Sequence, residues 1–152
     1  MIKGKLEWLL VFLISAGVLA LFIPAILEAR KDSIVDYINS VRVKPLKEDK
    51  FLNRLAIKRC VELTKWEHQD IWSVTYDIMW ASGRTGLVQR YFYAGENLAN
   101  GFSNDRDAFV ALQNSPTHKS NNESVTYQKI GVGRCNNKLL GKTIVLLFAG
   151  NK

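Results

Sequence analysis

The stretch YFYAGENLANG, residues 91–101, places a Gly-Glu-Asn triplet between an aromatic run and a small apolar run. A second polar stretch, NSPTHKSNN at residues 114–122, follows closely and contains one of only two histidines in the chain of 152 residues. Carboxylates and imidazoles are side chains that hold metal ions and transfer protons. The two stretches therefore mark the candidate functional region.

Three residues have the chemistry of a site: His68, Glu96 and His118. Two imidazoles and one carboxylate are enough to hold a divalent ion such as Zn²⁺ with one position open. The three residues are 28 and 22 positions apart, so their spacing alone is not a zinc signature. A histidine in a polar loop is also commonly a surface residue, and the residue pattern leaves both interpretations open.

Two helices are predicted before the Gly-Glu-Asn triplet. Asp32 and Ser33 can cap the first helix, which Pro45 ends. The second helix starts near Asp49 and carries a stripe at helical spacing that must face a core. The stripe consists of Phe51, Leu52, Leu55, Ala56, Arg59, Cys60, Leu63 and Trp66.

The remaining elements are two further helices and a group of strands. YDIMWASG, residues 76–83, is interpreted as a short helix closed by its final glycine. Residues 103–113 form a helix capped by Ser103 or Asn104 and ended by Pro116. The strands are rich in β-branched, aromatic or apolar residues and are predicted at residues 87–93, 127–133 and 142–150. This order predicts an α+β fold in which helices cover a small antiparallel sheet.

An uncharged run occupies residues 9–27, LLVFLISAGVLALFIPAIL. A helix of that length covers roughly 28 Å, about the hydrocarbon thickness of a bilayer. A buried core helix or a cleaved signal peptide are the weaker alternatives, because the run has no polar face and is longer than a usual signal sequence. The sequence predicts a transmembrane signal anchor in residues 1–28, in the membrane through residues 6–27. A domain at residues 29–152 is expected outside the cytoplasm.

The charge of the chain is basic, with 21 Lys and Arg against 14 Asp and Glu, a formal net charge of +7. Such a surface attracts anionic polymers, lipid head groups or nucleic acid, although a solvated basic face is the plainer interpretation. No run of five like charges and no arginine-rich arm is present, which argues against a nucleic-acid partner.

The two cysteines, Cys60 and Cys135, leave two states open. Outside the membrane they could form one disulfide, whereas burial of Cys60 on its helix as a free thiol is the competing case.

Five motifs in order resemble the CAP superfamily of cysteine-rich secretory proteins, antigen 5 and plant pathogenesis-related proteins, particularly its short bacterial members. The resemblance covers about residues 33–150. The motifs are YINSVR, PLKEDKFLNRLAIKRCVEL followed by WEH, AGENLANG, ALQNSPTHKSN, and the closing pair YQKIGVG and IVLLFA.

The resemblance implies an α-β-α sandwich with a central groove. It places His68 and His118 at the two groove histidines and Glu96 at the Gly-Glu-Asn glutamate, with Asn97 and Ser115 as further groove candidates. The family's second acidic residue has no counterpart here, which weakens an ion-binding site. Three more positions depart from the pattern: Leu112, Thr117 and Lys119 stand where tryptophan, glycine and arginine are common.

The function expected from the resemblance is a membrane-anchored binding or interaction module with a lipid, peptide or cell-wall ligand. The alternative is a hydrolase in which His68 or His118 acts as general base, with Glu96 orienting it or a Zn²⁺ ion activating water. Glu96 could also simply hydrogen-bond both histidines and hold the loops together. A third class is a structural role in which the basic domain is held against an anionic polymer by charge alone.

Overall fold

The computed structural model describes residues 33–64, 71–83 and 86–152. The helices in these ranges are α1 (Ile34–Ser40), α2 (Lys50–Glu62), α3 (Ile71–Met79), α4 (Asp105–Asn114) and α5 (Pro116–Glu123). The strands are β1 (Lys47–Glu48), β2 (Trp80–Gly83), β3 (Gly86–Gln89), β4 (Tyr93–Asn100), β5 (Lys129–Asn137) and β6 (Gly141–Gly150).

The main sheet has four strands in the order β1-β5-β6-β4. β5 and β6 form an antiparallel hairpin, and β4 pairs antiparallel with β6 from Tyr93↔Gly150 to Asn100↔Thr143. The predicted antiparallel pairing is confirmed for these three strands but not at the other edge, where β1 pairs parallel with β5. β2 and β3 form a separate antiparallel hairpin.

Two hydrophobic cores lie on opposite faces of the sheet, and β6 contributes to both. Side chains alternate between the faces of a strand, so Ile144, Leu146 and Phe148 join one core while Val145 and Leu147 join the other. Helices α1 and α4 supply the first core with apolar residues, and α2 and α3 supply the second. The expected α-β-α sandwich is confirmed, and this arrangement explains why β6 is apolar almost throughout.

Helix α2 lies close to β5 because glycines face it. A Cβ atom at Gly131 would lie 2.2 Å from the carbonyl carbon of Leu52, and one at Gly133 would lie 2.2 Å from that of Ala56. Only hydrogen atoms fit at these two positions. One helical turn beyond Ala56, the same pair of elements is joined by a disulfide.

That disulfide links Cys60 of α2 to Cys135 of β5, with Cα atoms 6.0 Å apart. The structure therefore decides between the two cysteine states that the sequence left open.

Asp49 starts α2 and ties it to the segment before β4. Its Oδ1 accepts hydrogen bonds from the backbone N–H groups of Phe51 and Leu52, at 2.8 and 3.1 Å, and its Oδ2 accepts the Tyr91 hydroxyl at 3.0 Å. Burial by itself raises the pKa of Asp49, but these hydrogen bonds and the nearby positive charge of Arg90 together outweigh it, and the pKa lies below its usual value. Burial and the Asp49 hydrogen bond raise the pKa of Tyr91 to about 12.

Several predicted elements have different bounds in the structure. The helix predicted at residues 76–83 is confirmed only in its first half, since α3 ends at Met79 and the strand β2 follows it. The strand predicted at residues 87–93 is divided between β3 and β4, and β4 continues through the Gly-Glu-Asn triplet. Pro116 does end a helical segment, as predicted, but it also opens α5, because proline fits the first turn of a helix.

Within residues 33–64, 71–83 and 86–152, no helix has the length and apolar character needed to cross a bilayer. The predicted anchor and the predicted boundary after residue 28 lie outside the described residues, as do Trp66 and His68.

Candidate functional site

The site is built on β4, one of the two edge strands of the main sheet. Consecutive residues of a strand point to opposite faces, so Glu96 faces α2 while Asn97 faces α5. Both side chains are buried, with exposed fractions of 4% and 0%. The Gly-Glu-Asn triplet therefore connects a helix on each side of the sheet.

Glu96 forms a buried ion pair with Arg59 of α2. Nε of Arg59 lies 2.8 Å from Oε2 of Glu96, and Nη2 lies 3.3 Å from Oε1. The Arg59 residue is 7% exposed, so both charges are removed from water. Two parallel hydrogen bonds between a guanidinium and a carboxylate satisfy a buried charge in a fixed geometry.

Asn97 fastens α5 to the sheet edge. Its Nδ2 donates to the backbone carbonyl of His118 and to Oδ1 of Asn122, both at 2.9 Å. Its Oδ1 accepts from Nδ2 of Asn121 at 2.8 Å, and the same Nδ2 donates to the backbone carbonyl of Glu96 at 3.2 Å. The amides thus hold the backbone of α5 at His118 beside the backbone of β4 at Glu96.

The other end of α5 is held by Arg42, the arginine of the YINSVR motif. Its guanidinium donates to the backbone carbonyls of Asn122, Ser124 and Tyr127, at 2.5, 2.7 and 2.9 Å. Burial lowers the pKa of Arg42. Asn122 also donates from Nδ2 to Oε1 of Gln113 at 3.0 Å, which joins α5 to α4.

The predicted site residues are partly brought together. Glu96 and Asn97 lie on β4, and His118 is partly buried in the first turn of α5, where Asn97 holds its carbonyl. Ser115 occupies the N-cap position of α5, and its hydroxyl lies 3.4 Å from that of Thr117. His68 lies outside the described residues, so its predicted place beside Glu96 and His118 stays a prediction.

Among the described residues, no group of three His, Cys, Asp or Glu side chains could hold a metal ion. The predicted set of His68, Glu96 and His118 includes one residue outside that part of the chain.

Arg59 is the site residue that sequence analysis did not single out. It belongs to the predicted buried stripe of α2, between Ala56 and Leu63, and a charged residue among apolar positions is the signal that could have identified it. A buried arginine requires an anionic partner. The sequence alone did not say which of the acidic residues supplies it.

A small cleft between α2 and α3 reaches Arg59. Its volume is about 170 Å³, below the 300–1,000 Å³ usual for pockets that enclose a drug-sized ligand. Charged and apolar side chains share its wall: Leu55, Lys58, Arg59, Glu62, Ser73, Val74, Asp77 and Leu147.

The comparisons with known proteins concern the fold. No protein-family model matches the chain, and no curated protein matches it. An extracellular SCP-domain protein of Bacillus anthracis superimposes with a TM-score of 0.60 at 20% identity. A cysteine-rich secretory protein of Staphylococcus aureus gives 0.59 at 19%, and an outer surface protein of Borrelia burgdorferi gives 0.54 at 21%.

Each similarity covers 78% of this chain, but the shares of the other chains differ. This chain spans 39% of the Bacillus protein, 37% of the Staphylococcus protein and 90% of the Borrelia protein. At these identities the comparison concerns the fold alone, and it agrees with the α-β-α sandwich. The described residues therefore have the fold of SCP-domain structures, the fold that the motif resemblance implied.

Proposed function

We propose that the protein is a CAP-type binding module, anchored in a membrane and placed outside the cytoplasm, that holds its ligand in a groove along β4 and α5. In this proposal His68, Ser115 and His118 line the groove, while the buried Glu96 and Asn97 hold β4 and α5 in place. The ligand is a lipid, a peptide or a cell-wall component. The names of two similar structures, an extracellular protein and an outer surface protein, support the placement.

The observation that carries this proposal is the Arg59–Glu96 ion pair. A carboxylate that binds zinc must direct an oxygen at the metal ion, whereas both oxygens of Glu96 accept hydrogen bonds from Arg59. A divalent ion at Glu96 would also lie close to the guanidinium charge, which repels it. Glu96 therefore fits a Zn²⁺ site poorly, and we derive no catalytic step through a metal.

The ion pair instead suits a binding module. It fixes β4 to α2, while Asn97 fixes the same strand to α5. A ligand would then bind beside a rigid strand β4. Side chains that are already fixed lose little conformational entropy on binding, which favours affinity.

We expect no saturable Zn²⁺ binding that depends on Glu96, because its carboxylate is held by Arg59. The measurement is a calorimetric titration of the full chain in detergent micelles at pH 7.5 and 5.5. His68→Ala, His118→Ala and Glu96→Gln are compared with Glu123→Gln, a matched change of an exposed glutamate. Under the proposal, Glu96→Gln lowers the melting temperature and leaves the zinc titration unchanged.

The opposite result supports the hydrolase alternative. Saturable binding that disappears in all three site variants, and at pH 5.5, would identify a metal site, because imidazoles protonate below about pH 6.5 and then cannot bind metal. That outcome would overturn the assignment of Glu96 to a purely structural role.

The anchor makes a separate prediction. We expect the full chain, expressed with its N-terminus intact, to stay in the membrane fraction after alkaline carbonate extraction. Residues 9–27 would supply about 28 Å of uncharged helix. Val18→Arg with Leu21→Arg is the disrupting variant, since each arginine at a helix centre costs about 2.5–3.5 kcal/mol on insertion scales. Release of the unaltered chain by carbonate would contradict the anchor.

A further inference from the structure

One end of the main sheet, where β5 begins and β6 ends, concentrates positive charge. The backbone brings four segments to this end. Lys47 N–H donates to the Gln128 carbonyl at 3.0 Å, and Phe92 N–H donates to the Gly150 carbonyl at 2.8 Å. We call this surface the basic end, and its basic residues are Lys44, Lys47, Lys50, Arg90, Lys129 and Lys152.

The basic end has a large excess of positive charge. Its six basic side chains are accompanied by two acidic ones, Glu48 and Asp49, which leaves a net charge of four. Asp49 is engaged as the cap of α2 and by Tyr91. Of the ion pairs formed by the described residues, none includes a lysine of the basic end.

Two of these lysines lie next to each other on neighbouring strands, which lowers the stability of the folded chain. Lys47 of β1 is the direct partner of Lys129 of β5 in the parallel register. Like charges opposite each other on neighbouring strands destabilise a sheet. Residues that lower the stability of the fold are expected mainly at functional sites. An anion bound between the two lysines would remove their repulsion.

The opposite end of the sheet differs in charge pattern. There Arg134 pairs with Asp105, whose carboxylate also accepts the Ile34 N–H at 2.7 Å. Lys138 and Lys142 flank the β5–β6 turn and are exposed. The residues named at that end carry three positive charges and one negative charge, a net charge of two against four at the basic end. The basic end therefore has the larger excess of positive charge.

The side chains of the basic end favour an anionic ligand with a high density of negative charge. Five of its six basic residues are lysines, whose ammonium groups act as point charges and lack the planar fork of arginine. The single arginine, Arg90, already lies with its guanidinium 4.1 Å from the centre of the Phe51 ring. Flexible ammonium groups suit a linear polyanion with closely spaced charges.

We propose that the basic end is a docking surface for a linear phosphate polymer of the cell envelope, separate from the groove along β4 and α5. Nucleic acid fits less well, because proteins bind single strands by stacking bases on successive aromatic rings. The exposed aromatic side chains described at this end are Phe92 and Tyr93. The Lys152 ammonium lies 4.9 Å from the centre of the Phe92 ring, so Tyr93 is the ring left to stack on a base. One ring is not a stacking platform.

The test uses the full chain in detergent micelles with long-chain inorganic polyphosphate as the probe, between about 50 and 200 mM salt. The variant Lys47→Gln/Lys129→Gln is compared with Lys138→Gln/Lys142→Gln, which removes the same charge at the opposite end. We expect the first variant to weaken binding about tenfold and to reduce the slope of log affinity against log salt by about one per lysine lost. The second variant should change the affinity by less than about threefold and leave the salt slope unaltered. Its two lysines are far from the bound polymer, and salt screens their charge.

Two controls keep the result interpretable. The melting temperature of Lys47→Gln/Lys129→Gln should equal or exceed that of the unaltered chain, because the repulsion between the two strands is removed. His118→Ala should leave polyphosphate binding intact, which separates this surface from the proposed groove.

Four outcomes would overturn the inference. They are absence of polyphosphate binding, equal losses in the two double variants, loss of binding in His118→Ala, and tighter binding of single-stranded DNA than of polyphosphate. The last result would assign the basic end to nucleic acid.

Discussion

Replacing Arg59 with methionine is expected to lower the free energy of unfolding by about 3–5 kcal/mol, because it leaves the buried Glu96 carboxylate without its guanidinium. Glu96 is 4% exposed, so water cannot readily replace the two lost hydrogen bonds. Urea unfolding of the full chain in micelles, followed by near-ultraviolet circular dichroism, measures the change. Loosening of β4 should accompany it, since the ion pair joins that strand to α2.

The matched control lies one residue earlier on the same helix. Lys58 pairs with Glu62 at 4.0 Å, and both side chains are about 60% exposed. Lys58→Met should therefore cost less than about 1 kcal/mol.

The double variant Arg59→Met/Glu96→Met should recover most of the stability lost in Arg59→Met, because apolar side chains of similar volume can replace a buried ion pair. If Lys58→Met and Arg59→Met lowered the free energy of unfolding equally, the Arg59–Glu96 ion pair would contribute no more than an exposed pair. A double variant as unstable as Arg59→Met would assign the loss to packing and not to charge.

The elements with strong periodicity could be predicted from the sequence. The stripe of α2, the cap of α4 at Asn104 and the apolar run of β6 are all seen in the structure. β1 was missed because two exposed residues carry no hydrophobic pattern, and its pairing with β5 depends on contacts distant in sequence. β4 was misplaced because the polar pair Glu96 and Asn97 hides a strand that is buried on both faces.

The sequence predicts some of the residues of the site, but it does not predict which residues contact each other there. Glu96 was identified from the Gly-Glu-Asn triplet and was expected to act with histidines, whereas the structure adds Arg59, which is 37 positions away. No local rule selects that partner, because the contact arises only when α2 packs on the sheet. Asn97 was a groove candidate, and its complete burial and three amide hydrogen bonds give it a role in positioning α5.

Reduction of the Cys60–Cys135 disulfide is expected to lower the free energy of unfolding by about 4 kcal/mol. The bond closes a loop of 75 residues, and the entropy that a cross-link removes from the unfolded chain grows with loop length. Thermal unfolding of the full chain in micelles, with and without a reductant, measures the loss. The Cys60→Ala/Cys135→Ala variant should melt at a low temperature in both conditions.

The comparison between the reduced chain and the alanine variant separates two contributions. Cys60 is fully buried in the core between α2 and the sheet, so alanine removes packing as well as the cross-link, whereas the reduced thiols keep most of the packing. The alanine variant should therefore be less stable than the reduced chain. A melting temperature unchanged by reductant, with free thiols confirmed by alkylation, would contradict the prediction. Because disulfides persist in oxidising compartments and are reduced in the cytosol, a large loss on reduction would also favour the proposed placement outside the cytoplasm, where this bond can hold α2 to β5.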